Sequence, residues 1–181
     1  MVIGVDLGNK SRNAIVVFDG KNVLEWCSLN HSDSSSTWEH RKKICKQIKD
    51  YIKKYKMTKK DYLVFEQIFF SPGLSRMVNV TSMSFLQATL INEFSNKISI
   101  AEVHVQSWKS KVLGSRKATK EDAISYVAKN FPNVDLTLMV EHKRKGVEII
   151  QNHDLADAVC IAQYGYIVGF DVVNEHLVNY K

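Results

Sequence analysis

Val2-Ile3-Gly4-Val5-Asp6-Leu7-Gly8 is an apolar run that carries one carboxylate and closes on glycine. Its composition reads as a buried strand, and Asp6 is the residue that does not belong there. An ionised carboxylate in apolar surroundings is very costly unless it is paired or bound to a metal. Outward from this run, two more strand-like stretches cover about residues 13–19 and 22–29, with Asp19-Gly20 as the tight turn between them. The first thirty residues therefore predict a three-stranded meander.

Three further acids repeat the anomaly. Glu66 ends Tyr62-Leu63-Val64-Phe65-Glu66, a fourth strand at about 61–66, and Asp154 and Asp157 open the apolar stretch His153 to Ala162. Helical residues three apart lie roughly 60° apart around the axis and ~4.5 Å along it, so Asp154 and Asp157 share a face. Leu155, Ala156, Ala158, Val159, Ile161 and Ala162 make that helix apolar nearly all round, which predicts burial. Singly each acid has an ordinary explanation, as a hydrogen-bonded strand end or as a cap that favours the helix dipole. Four together, in buried-type elements, point to one shared cation site. An all-carboxylate set suits Mg²⁺, and the lack of a His/Cys cluster argues against zinc.

Between the acids, Ser34-Ser35-Ser36-Thr37 offers helix caps, and Ile44, Ile48, Tyr51, Ile52 and Tyr55 recur at helical spacing in a basic amphipathic helix. Ser71-Pro72-Gly73 starts a second helix reaching about residue 95, and Ile98 to Val103 is a fifth strand. The segment Gln106 to Lys117 reads as a basic loop carrying Lys109, Lys111, Arg116 and Lys117; a helix follows from about 118 to 130 and stops at Pro132. Residues 132–152, including His142-Lys143-Arg144-Lys145-Gly146, read as a loop or flexible flap, and the last helix covers about 153–169. The order is βββαβαβ. It predicts an α/β fold with one domain over 1–170 and a tail at 171–181.

A formal charge of +6 and a pI near 9.1 favour a polyanionic partner. Ten Lys or Arg residues against the single acid Asp50 between Arg41 and Lys60 concentrate that charge. Cys27, Cys45 and Cys160 are odd in number and widely spaced, which argues for reduced thiols in a cytoplasm. No secretory leader opens the sequence, and no apolar stretch approaches the ~20 residues needed to cross a bilayer.

Ile3-Gly4-Val5-Asp6-Leu7-Gly8, Phe65-Glu66-Gln67-Ile68-Phe69, Trp108-Lys109 through Gly114 to Ala118-Thr119-Lys120, and Asp154-Leu155-Ala156-Asp157-Ala158 occur in this order. Together they resemble the RuvC-type Holliday-junction resolvases of the ribonuclease H superfamily, with the match nearest to the phage-encoded branch. The resemblance implies a ribonuclease H-like mixed five-stranded sheet flanked by helices. It also implies a homodimer that nicks four-way DNA junctions symmetrically with Mg²⁺ or Mn²⁺, two ions per site. Asp6, Glu66, Asp154 and Asp157 match the family's metal-binding acids, Phe69 an aromatic that stacks on an unpaired base, and Lys109 and Lys120 basic positions near the scissile phosphates. Lys111, Arg116 and Lys117 extend that DNA-binding set as members of the basic loop. Leu7 stands where bacterial members usually carry proline, and Gly114-Ser115-Arg116 replaces their Gly-x-Gly.

The expectation is a Mg²⁺-dependent, structure-selective endonuclease acting on four-way and other branched DNA, without an organic cofactor or a membrane, in a cytoplasm that is the host's if the chain is phage-encoded. The alternatives are a junction-binding protein whose acids are structural, and a nuclease of the same fold acting on a different branched or hybrid substrate. An actin-like nucleotide binder, suggested by Asp6-Leu7-Gly8-Asn9, needs two lobes that 181 residues do not hold.

Overall fold

A computed structural model describes residues 1–8, 12–30, 34, 36–68, 77–142 and 146–177, with backbone alone for 77–80, 141–142, 146 and 170–177. Its elements are β1 (Val2–Leu7), β2 (Arg12–Phe18), β3 (Val23–Asn30), α1 (Thr37–Lys54), β4 (Tyr62–Glu66), α2 (Met77–Phe94), β5 (Ser99–Val103), α3 (Val105–Val112), α4 (Lys120–Asn130), β6 (Thr137–His142), β7 (Gly146–Gln151) and α5 (His153–Leu177). Five strands form one mixed sheet in the order β3-β2-β1-β4-β5. The meander pairs antiparallel, while β1 pairs parallel with β4 and β4 with β5.

Strand periodicity of two sorts the side chains into two cores. Ile3, Val5, Leu7, Leu63 and Phe65 point to the face covered by Ile44, Ile48 and Tyr51 of α1 and Leu86, Leu90 and Phe94 of α2. Val2, Val16, Tyr62, Val64 and Val103 point to the opposite face, covered by α3, α4 and α5. The same alternation assigns Asp6, after Val2 and Gly4, to the α5 face; Glu66, after Tyr62 and Val64, joins it.

Glycines let α5 lie directly on the sheet. A Cβ on Gly4 would sit 2.5 Å from the Ala158 carbonyl oxygen and 2.6 Å from the Ala162 Cβ. A Cβ on Gly165 would come 2.8 Å from Val64 Cγ2 and 3.3 Å from Val2 Cγ1. Residues 158–162 thus cross Gly4 and residue 165 crosses Val2, so α5 runs antiparallel to β1 and its first turn overlies the strand end at Asp6. At its far end the helix is interrupted by Gly169, at φ 66°, ψ 177°, before a helical backbone resumes to Leu177. That continuation replaces part of the tail expected at 171–181.

Two further expectations are corrected. The basic loop Gln106 to Lys117 contains α3, capped by the His104 side chain and anchored by buried Trp108 and Val112. Residues 132–152 contain the β6–β7 hairpin rather than an irregular loop or flap. Met139, Val147 and Ile149 are exposed on one face of it and Leu138, Val140 and Ile150 lie on the other, so apolar residues occupy both faces and no apolar-polar alternation marks the strands. Ser71-Pro72-Gly73, offered as the start of the second helix, lies outside the described residues.

The positive charge of Arg41 to Lys60 is partly compensated. Lys43 pairs with Glu39 at 3.7 Å, Lys49 with Glu93 at 2.6 Å and Lys54 with Glu25 at 2.6 Å. The three cysteines are free. Among the described residues no helix is long and apolar enough to cross a membrane.

Candidate active site

Two structural layers supply the four acids. Asp6 and Glu66 stand at the carboxyl ends of adjacent parallel strands, β1 and β4, on the α5 face. Asp154 and Asp157 occupy the first turns of α5. All four are half-buried, which desolvates them while leaving each an opening to solvent. The cap of α5 is Asn152, whose Oδ1 accepts from the Leu155 N–H at 3.1 Å. The acids are therefore not needed to begin the helix.

Burial and mutual repulsion mark the four as one electrostatic cluster. Asp6 is held well above the usual carboxylate range, first by desolvation and then by the charges of Asp157, Asp154 and Glu66, with Lys120 opposing. Desolvation and Glu66 push Asp157 up to about 7, against Lys109 and Lys120. Desolvation also raises Glu66, while the Trp108 hydrogen bond, Lys109 and His104 hold it down. Raised carboxylates packed together are the condition that a bound cation relieves. As they stand, no three His, Cys, Asp or Glu side chains among the described residues are arranged to hold one ion. The donor chemistry, four carboxylates and no His/Cys cluster among the described residues, fits a hard divalent cation.

Glu66 is gripped from both sides of the sheet. Its Oε2 accepts from Trp108 Nε1 at 3.2 Å, which also satisfies the indole of a fully buried tryptophan. Its carbonyl accepts from Gln87 Nε2 of α2 at 2.8 Å. Lys109 is tethered by donating to the Ala118 carbonyl at 2.7 Å, and Lys120 is the first residue of α4. The turn after Asp6 is fixed in a similar way. Asn13 Nδ2 donates to the carbonyls of Gly8 and Arg12, each at 3.0 Å, and Asn13 Oδ1 lies 2.8 Å from His40 Nε2. With the amide nitrogen committed to carbonyls, His40 must carry its proton on Nε2.

The structure divides the expected DNA-binding residues. Lys109 and Lys120 act on the carboxylates, whereas Lys111 and Arg116 line a separate open cleft between α3 and α5. Lys117 is exposed on the segment between α3 and α4. Phe69 lies outside the described residues. Sequence reasoning did not single out Gln87, Asn152 or the Asn13–His40 pair as supports. Their partners lie 21 to 124 residues away, apart from the local capping and turn bonds, so no short spacing could reveal them.

Acid-base linkage gives a sign to test. Asp157 is protonated more readily in the folded protein than in the unfolded chain, so folding takes up a proton between about pH 4 and pH 7. The stability of the metal-free protein is expected to fall by on the order of a few kcal/mol as pH rises through that window, the raised Asp6 and Glu66 adding to the decline. Urea unfolding in EDTA at closely spaced pH values checks this; stability that climbs across the window would contradict the burial of the carboxylate cluster.

No family model matches the sequence, and no curated protein matches it either. Among solved structures, the fold is similar to RuvC of Thermus thermophilus, with a TM-score of 0.60 and 18% identity over 90% of this chain and 91% of that one. It is also similar to T. thermophilus RuvC in complex with a Holliday junction substrate, with a TM-score of 0.62 and 15% identity over 98% and 95% of the two chains. At these identities the likeness is one of fold: the five-stranded mixed sheet and its flanking helices are the RuvC type of the ribonuclease H-like architecture.

Proposed function

We propose that this protein is a structure-selective DNA endonuclease that resolves four-way junctions, and cuts related branched DNA, by divalent-metal-dependent phosphodiester hydrolysis. The observation that carries the reading is the carboxylate cluster, with two acids from the sheet and two from α5, in which burial and neighbouring carboxylates raise Asp6 and Asp157, beside Lys109 and Lys120. The fold it sits on is also that of a protein solved with a Holliday junction substrate.

Asp6, Glu66, Asp154 and Asp157 would hold Mg²⁺ or Mn²⁺, two from the ends of adjacent parallel strands and two from the start of α5, all within electrostatic reach of Asp6. Two such ions, when bound, supply an activated water, charge neutralisation at phosphorus and stabilisation of the leaving 3′ oxygen. The chain's own contribution is placement. Trp108 and Gln87 orient Glu66, the Asn13–His40 pair fixes the turn behind Asp6, and Lys109 and Lys120 offer positive charge to a phosphate that the carboxylates alone would repel. Two copies in a homodimer would match the two-fold symmetry of a four-way junction. The helix α2 is the interface we favour. Leu90 is fully buried and Met83 packs on the core, while Phe85 and Ile91 are exposed; the side chains of Met77 and Val80 lie outside the described residues.

A second reading, a junction-binding protein with structural acids, draws on the fact that no three of the described acids converge on one ion position. One assay separates the two. A synthetic four-way junction, a three-way junction and a linear duplex are incubated with the protein in Mg²⁺, Mn²⁺ or EDTA and resolved on denaturing and native gels. Paired symmetric nicks in the four-way junction only with metal are expected. Tight binding without cleavage in either metal would leave the binding protein.

A further inference from the structure

The cleft between α3 and α5 has a volume of about 490 Å³ and contains no carboxylate among its lining residues. Its cations are Lys111 and Arg116. Ser107, Ser110 and Lys111 stand at i, i+3 and i+4 on α3 and so present one face to it. On the other wall is Tyr164 of α5, half-buried against the core and therefore held in place. Cations and hydroxyls without a balancing acid suit an anion, and a fixed aromatic ring suits the face of a base. The volume falls in the ~300–1,000 Å³ range of small-ligand sites, enough for one nucleotide.

Position ties the cleft to the carboxylates without merging the two. His104 both lines it and acts electrostatically on Glu66. Tyr164 lies seven residues beyond Asp157 on one helix, a rise of ~10.5 Å, which puts the cleft within reach of the strand held at the acids.

We propose that this cleft is a strand-anchoring subsite. It takes one unpaired nucleotide of the substrate DNA close to the scissile phosphate, with its phosphate on Lys111, Arg116 and the α3 hydroxyls and its base against Tyr164. The assignment rests on the nuclease reading and adds to it a second contact point that selects a strand leaving the duplex. Paired bases cannot reach Tyr164 in this way, so the ring discriminates branched from linear DNA.

The test uses the full chain carrying Asp6→Asn, which is expected to hold DNA without cutting it. Binding to a labelled four-way junction and to a linear duplex of the same length is titrated between 50 and 200 mM salt, with thermal melts confirming folding. Adding Lys111→Ala and Arg116→Ala, which removes the contacts to one phosphate, is expected to make log K fall less steeply with log salt, by about 0.7 to 1 in the slope, and to weaken junction binding about tenfold at the lowest salt. Tyr164→Leu is expected to weaken junction binding roughly fivefold to a hundredfold while sparing the duplex, and Tyr164→Phe to restore it. An unchanged salt slope in the double variant overturns the subsite, as does a Tyr164→Leu loss that is equal on both DNAs. If the Asp6→Asn parent shows no preference for the junction over the duplex, the nuclease reading itself falls; a parent that prefers the junction, with variants that bind as it does, removes the cleft alone.

Discussion

Asp6→Asn is expected to reduce junction cleavage by more than ~10³-fold while leaving junction binding intact. Asp6 is the acid on which all three others act, so under the proposed metal-dependent reading it would be the shared ligand of the cluster. Neutralising it removes one charge from every cation position the site can offer, and the several kcal/mol that metal ions contribute to such reactions translate into about this loss of rate. Binding should be kept, because removing a negative charge reduces repulsion of DNA phosphates. A second readout moves in the opposite direction. In EDTA near pH 8 the variant should unfold at a higher temperature than the parent, since a half-buried carboxylate surrounded by like charges opposes folding and an amide of the same shape does not. Cleavage at the wild-type rate would sink the metal-site reading. A lower unfolding temperature would mean that Asp6 has a stabilising partner instead.

Gly4→Val is expected to be among the most damaging substitutions away from the acids, with a stability loss on the order of 3 kcal/mol or more. The first added carbon already meets the Ala158 carbonyl at 2.5 Å and the Ala162 Cβ at 2.6 Å, neither of which can rotate away. Relief requires α5 to rise off β1. That movement carries Asp154 and Asp157 away from Asp6 and Glu66, and a displacement near 1 Å at a reacting centre costs about a hundredfold in rate. The folded fraction of the variant should therefore be slow as well as scarce. Gly4→Ala should show the same pattern in milder form. Urea denaturation and cleavage per folded molecule measure the two effects; a Gly4→Val protein as stable as wild type would show that α5 does not cross the sheet at Gly4.

Much of this architecture is legible in the chain because burial leaves a one-dimensional trace. β1 and β4 are continuous apolar runs, and an acid at the end of each stands out against its own strand. The pair on α5 is visible for the same reason, since the residues around it are apolar on every side. What escaped has weak local contrast. The helix α3 is eight residues long and is anchored by Trp108 and Val112 alone, so its lysines and serines dominate the reading. In the hairpin, exposed Met139, Val147 and Ile149 cancel the alternation that would have revealed β6 and β7. The cleft escaped for a different reason. Lys111 and Arg116 are near Lys109 in sequence, and only the packing of α3 against α5 turns them toward Tyr164 instead of the acids.

The hairpin has a closed root. Asn152 donates its backbone N–H to the Leu136 carbonyl at 2.7 Å, and its side chain bonds Ser28 Oγ at 2.9 Å while capping α5. Residues 137–151 consequently leave and rejoin the body of the protein at one point, which is already pinned to the sheet. Such an excursion is a modular insertion. Its length and sequence can drift, or be exchanged for another hairpin by an engineer, without altering where α5 begins, so new contacts can be acquired there while the position of Asp154 and Asp157 is inherited unchanged.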